Sequence, residues 1–74
     1  MIREDELKKL AINIKKARLD KNISQEKLAE LCNFDRTYIS MLERAKRNPS
    51  YLNLIKLAKG LEIDICQLLS GDDN

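Results

Sequence analysis

The stretch SQEKLAELCNFDRTYISMLER, residues 24–44, constrains this chain more than any other. It holds two short amphipathic helical patterns separated by Asn33, Phe34 and Asp35. The first pattern carries Leu28, Ala29, Leu31 and Cys32 as its apolar set. The second places Ile39 and Leu42 at i, i+3 spacing. Asn33 tolerates left-handed backbone, and Asp35 is suited to accept backbone N–H groups as a helix N-cap. Two helices that reverse within so few residues need neighbouring elements to hold the angle between them.

The rest of the chain supplies such neighbours. Residues 1–22 predict a first helix with Leu7, Leu10, Ala11, Ile14 and Ala17 along one stripe. Glu4, Asp5 and Glu6 lie in its first turn and Lys15, Lys16, Arg18 and Lys21 towards its end, a polarity that complements the helix dipole. Asn22 offers a left-handed stop. Ser24 is the expected N-cap of the second helix, with Ile23 as a staple onto Leu28; Lys27 stands where a capping box needs Glu. The third helix is expected from Arg36 to Arg44. Pro49 then stops the preceding element, and Ser50 caps a fourth helix, Tyr51 to Leu61, whose inward stripe is Leu54, Leu57, Ala58 and Leu61. Gly60 inside it costs about 1 kcal/mol relative to Ala, which close approach of another backbone would explain. Asp64 caps a fifth helix, Ile65 to Leu69, with Gln67 placed as in a capping box, and residues 70–74 form a polar tail. No strand pattern or internal repeat interrupts this series. The expected fold is all-α: one compact five-helix domain over residues 1–74, with its core in 4–69 and a helix-turn-helix at its centre.

A chain of 74 residues buries a modest core, so dimerisation would help it. Phe34, Tyr38 and Tyr51 are its only aromatic residues, too few for a surface that stacks single-stranded bases. Net charge is only +2, but its distribution is uneven. Residues 35–59 hold six basic and two acidic side chains, while residues 60–74 hold four acidic and no basic ones. That suits a surface meeting phosphates, or an ordinary mixed surface. With no His and no CxxC pair, a zinc site is not expected, and no cofactor is implied. Cys32 and Cys66 sit in apolar helical patterns and read as core or interface residues with reduced thiols, in keeping with a cytoplasmic protein. No apolar run approaches a membrane span. An enzyme is not expected, because neither a paired carboxylate in an apolar pocket nor a glycine-rich phosphate loop is present.

In a helix-turn-helix unit the second helix enters the DNA major groove. With Ile39 and Leu42 turned inward, Arg36, Thr37, Ser40 and Met41 point elsewhere, with Tyr38 beside them. Arg36 has the fork that reads guanine O6 and N7. Thr37 brings a hydroxyl and a methyl group, Met41 can meet thymine methyls, and Tyr38 can reach a base edge or a phosphate. Gln25, at the start of the second helix, either bonds a phosphate or faces solvent. Residues 45–49, Ala-Lys-Arg-Asn-Pro, form a basic loop read as a phosphate clamp over a merely solvated loop.

The string SQEKLAE, DRTYISMLER, KRNPS and LIKLAKGLEIDICQLL resembles the phage repressor and Cro helix-turn-helix family, over residues 7–69. Within that family, RTYIS…ER…RNPS is most similar to the controller proteins of restriction–modification systems. The resemblance implies a homodimer that binds short palindromic double-stranded DNA operators to regulate transcription, with RNA polymerase as a further partner. It places the phosphate-binding Gln on Gln25, base reading on Arg36, Thr37, Tyr38 and Met41, and the backbone grip on Arg44, Lys46, Arg47 and Asn48. It also implies an ion pair between Arg18 and Glu43. Gly is usual in the family at the positions of Asn33 and Ala45, and Ala disfavours positive φ. Polar residues are usual at Leu52, Ile55 and Cys66. With Tyr51, these are expected at a dimer interface, scattered surface hydrophobics being the alternative. A phage-type repressor, or an antitoxin-like interaction module that binds its own promoter, is the competing function.

Overall fold

The computed structural model describes residues 3–70. Five α-helices follow one another: α1 Glu4–Asp20, α2 Gln25–Cys32, α3 Arg36–Glu43, α4 Tyr51–Leu61 and α5 Ile65–Ser70. No strand occurs among the described residues. The first helix is shorter than residues 1–22, beginning at Glu4 and ending at Asp20; Met1 and Ile2 lie outside the described residues. Ser70, expected in the tail, is the last helical residue, its hydroxyl donating to the Cys66 carbonyl at 2.7 Å. The remainder of the tail, 71–74, is also outside the described residues.

The packing follows from the apolar stripes. α2 packs on α3 and α4, α1 spans α3 and α5, and α4 closes against α5. Ile14, Leu28, Ile39, Leu42, Leu57 and Leu68 are fully buried where these helices meet. Each such side chain contributes about 1.5–3 kcal/mol on burial. Leu31, expected in the apolar set of α2, is instead 45% exposed. It sits at the edge of the α2–α4 seam, beside Gly60. Cys32 is buried, whereas Cys66 is exposed on α5 and so is not a core residue. Burial pushes the Cys32 thiol up to about 11, against a smaller opposing pull from Lys56, which keeps it neutral and unreactive.

Gly60 has a specific neighbour. A Cβ built there would lie 2.5 Å from Cys32 Sγ. The close approach is therefore of a side chain from α2, and it explains a glycine in the last turn of α4.

The four connections share one stop. α1 to α4 are each followed by a non-glycine residue in left-handed conformation: Asn22, Asn33, Ala45 and Glu62, with φ of 61°, 62°, 58° and 61°. At each, the paired bonds of a Schellman motif close the helix. After α3, for example, Ala45 N–H donates to Leu42 O at 3.2 Å and Lys46 N–H to Met41 O at 2.8 Å. The residue after the stop is Ile23, Phe34 or Ile63 in three cases, each packed against the core. In the fourth it is the exposed Lys46, so this loop turns outward where the others turn in. The stop at Glu62 is also tied to α1 by a 2.6 Å ion pair with Lys21. That hydrogen bond, and then the Lys21 charge, hold the Glu62 carboxyl below its ordinary value.

Candidate nucleic-acid interface

α3 is eight residues long. That is about 12 Å of helix, close to the width of the major groove. Ile39 and Leu42 bury its inner face at 0% and 1% exposure. Arg36 and Thr37 are exposed on its first turn, and Tyr38, Ser40 and Met41 are half-buried. No other described side chain pairs with Arg36, so its guanidinium fork is unspent. Asp35 takes the extended N-cap conformation, but its side chain makes no cap hydrogen bond. The cap expected there is thus one of backbone only. By contrast, Ser24 accepts from Lys27 N–H at 2.9 Å and Ser50 from Asn53 N–H at 3.1 Å.

The C-terminal end of α3 is anchored by charge. Arg18 Nε donates to Glu43 Oε2 at 2.6 Å and Nη2 to Glu43 Oε1 at 3.1 Å, the side chains being 10% and 3% exposed. A third arm, Nη1, donates to the Ile23 carbonyl at 2.9 Å. A planar guanidinium can serve two carboxylate oxygens and a carbonyl at once, which lysine cannot. The network joins α1, the connection into α2, and the last residue of α3. It also sequesters the carboxylate that interrupts the basic run, so the outer surface carries Arg36, Arg44, Lys46 and Arg47 without it.

Gln25 belongs to the same network. Its Nε2 donates to Glu43 Oε1 at 3.0 Å. Sequence reading placed Gln25 at a phosphate or in solvent; here it is half-buried and fixed by Glu43, with one amide N–H still to give.

The loop after α3 holds Arg44, Lys46, Arg47 and Asn48 exposed around a buried Pro49. Arg44 Nε reaches back to the Ser40 carbonyl at 3.3 Å. The Arg47 guanidinium lies 5.1 Å from the centroid of the Tyr38 ring, a cation–π contact that holds the loop against α3. Tyr38 in turn meets Phe34 edge-on, with centroids 4.8 Å apart, and Lys56 lies 5.5 Å from the Phe34 centroid. Tyr38 also accepts a hydrogen bond from Asn53 Nδ2 of α4 at 2.9 Å. Sequence reading did not single out Phe34, Asn53 or Lys56 for this cluster, and Asn53 carries no local signal beyond its place three residues after the Ser50 cap.

Of the apolar residues expected at a dimer interface, Tyr51 and Leu52 are each 69% exposed. Ile55 is half-buried one turn further along α4, and Cys66 is exposed on α5. Ile12 and Leu19, at 66% and 56% exposure on α1, are further exposed apolar residues that the sequence reading passed over.

A model of the helix-turn-helix family matches residues 14–68. Control protein C.SmaI of Serratia marcescens is 44% identical over 61 residues, covering 82% of this chain and 73% of that protein. Control protein C.BamHI of Bacillus amyloliquefaciens is 47% identical over 57 residues, covering 76% and 70%. Among solved structures, the restriction–modification controller protein C.AhdI from Aeromonas hydrophila superposes with a TM-score of 0.85 at 38% identity, covering 88% of this chain and 94% of that one. The controller protein C.Esp1396I, crystallised as a tetramer in complex with its natural 35-base-pair operator, matches with a TM-score of 0.80 at 44% identity, covering 85% and 83%. With the family model matching more than half its length, this chain belongs to the helix-turn-helix family and is similar to its restriction–modification controller proteins.

Proposed function

We propose that this chain is a dimeric, sequence-specific DNA-binding regulator of transcription, of the controller type, acting in the cytoplasm. The observation that carries the reading is the surface of α3 and its following loop. An exposed, unpaired Arg36 sits at the free end of a helix whose other end is locked by the buried Arg18–Glu43 pair. Arg36, Thr37, Tyr38 and Met41 are the base-reading set. Gln25, Arg44, Lys46, Arg47 and Asn48 grip phosphates on either side, Gln25 with its remaining amide N–H at the start of α2. Two copies joined through Tyr51, Leu52, Ile55 and Cys66 present two such helices to half-sites about one helical turn apart. RNA polymerase is the partner through which a bound regulator of this kind acts on its promoter. No described helix is long and apolar enough to cross a membrane.

The test is selection of random duplex DNA by the purified protein, with the recovered site rebound across a salt series. A twofold-symmetric site and a steep loss of affinity with salt are expected. Weak binding without sequence preference would reduce the surface to a generic basic patch and overturn the reading.

A further inference from the structure

Tyr38 is held on three sides. Phe34 packs against its ring edge-on, Arg47 lies over its face, and Asn53 donates to its hydroxyl oxygen at 2.9 Å. Asn53 is itself fixed, because its backbone N–H is bonded to Ser50 Oγ and its helix is docked by the buried Leu54 and Leu57. The bond to Tyr38 therefore comes from a rigid element.

A phenol hydroxyl has one proton to give. Having accepted from Asn53, Tyr38 keeps that proton for an outside partner, and no described residue takes it. Accepting one bond also strengthens the one it donates. The partner must then be an acceptor. In the major groove the acceptors are purine N7, guanine O6 and thymine O4, whereas the adenine and cytosine amino groups are donors. We propose that Asn53 is a specificity-determining positioning residue: it fixes the Tyr38 hydroxyl as a hydrogen-bond donor, so that Tyr38 donates to a base-edge acceptor and discriminates against a base-edge amino group. The inference rests on α3 being the groove helix.

The experiment is a double-mutant cycle of Tyr38→Phe and Asn53→Ala in the full chain. Binding is measured on the selected operator and on a panel of its single base-pair substitutions, with unfolding midpoints recorded in parallel. Tyr38→Phe should weaken operator binding about five- to tenfold. Asn53→Ala should weaken it by a smaller factor, and the double variant should be no weaker than Tyr38→Phe. On the panel, Asn53→Ala alone should relax discrimination against amino groups at the one position where Tyr38→Phe acts, since a freed hydroxyl can turn and accept. A purely structural role for Asn53 would lower the unfolding midpoint without changing that base preference. Additive losses overturn the proposal, and so does a loss that is equal at every base pair, which would put the proton on a phosphate oxygen. If Tyr38→Phe binds as the parent does, Tyr38 is not at the interface and the inference fails, while the reading of α3 stands or falls separately on Arg36 and on the selected site.

Discussion

Ala45 sits in a backbone conformation that suits glycine better. An L-residue in left-handed conformation costs about 1–2 kcal/mol, and the Schellman bonds after α3 hold Ala45 there at φ 58°. Glycine would remove that cost but lose about 0.4–1 kcal/mol to its freer unfolded chain. Ala45→Gly should therefore raise stability by about 0.5–1 kcal/mol in denaturant unfolding. A lowered midpoint would show that the alanine methyl makes a contact worth more than the strain. Gly60 is the converse case. Its missing side chain is the space that Cys32 Sγ fills. Gly60→Ala should cost about 1–3 kcal/mol through overpacking, despite gaining about 1 kcal/mol of helix propensity. Pairing it with Cys32→Ala should recover most of the loss. Additive destabilisation of the two changes, measured by the same unfolding curves, would mean that α2 and α4 adjust independently.

At the scale of the helix, the Arg18–Glu43 pair sets where α3 points. It ties the first helix to the last residue of the third, and Gln25 adds a bond from the second. Glu43→Ala leaves the Arg18 guanidinium buried and uncompensated, so it should cost about 3–5 kcal/mol of stability by thermal or denaturant unfolding. A cost under about 1 kcal/mol would place the pair in the class of exposed surface bridges. The two ends of the α3 surface should respond differently. Arg36→Ala should cost about 1–3 kcal/mol on the selected operator and relax preference at one base position. Arg47→Ala should weaken binding to all sequences alike and reduce the salt slope by about one. Identical behaviour of the two variants on a base-substitution panel and salt series would erase the division between reader and clamp.

For the whole molecule, the question is how a small domain completes itself. Leu52 is 69% exposed and Ile55, one turn away, is half-buried. Burying both against a second copy would recover apolar area that the single chain leaves in water. Sedimentation equilibrium of the Leu52→Glu, Ile55→Glu double variant should show a monomer at concentrations where the parent is a dimer. Operator affinity should fall with the dimer, since a monomer presents a single α3 to a single half-site. An unchanged dimer would move the interface elsewhere, and Ile12 and Leu19 on α1 would then be the exposed apolar residues to test.

Much of this arrangement is written locally in the chain. Periodicity placed α2 and α4, because Leu28, Leu54, Leu57 and Leu61 recur at helical spacing and Ser24 and Ser50 cap them with their own hydroxyls. Asn22 and Asn33 announced left-handed stops through side-chain chemistry alone. Ala45 and Glu62 did not, since nothing local favours positive φ at either; the Schellman bonds that close α3 and α4 hold them there. Leu31 and Cys66 have the composition of interior residues yet lie outside, because a periodic pattern gives a face but not how far a neighbour extends over it. The contact of Gly60 with Cys32, the bond from Gln25 to Glu43 and the grip of Asn53 on Tyr38 span 15 to 28 residues of chain. The sequence by itself determined which helices form and which residue types face outward on α3. Only the tertiary structure decided which of those side chains are already held by a partner and which remain open, because a hydrogen bond between distant residues depends on the helix packing that brings them within reach.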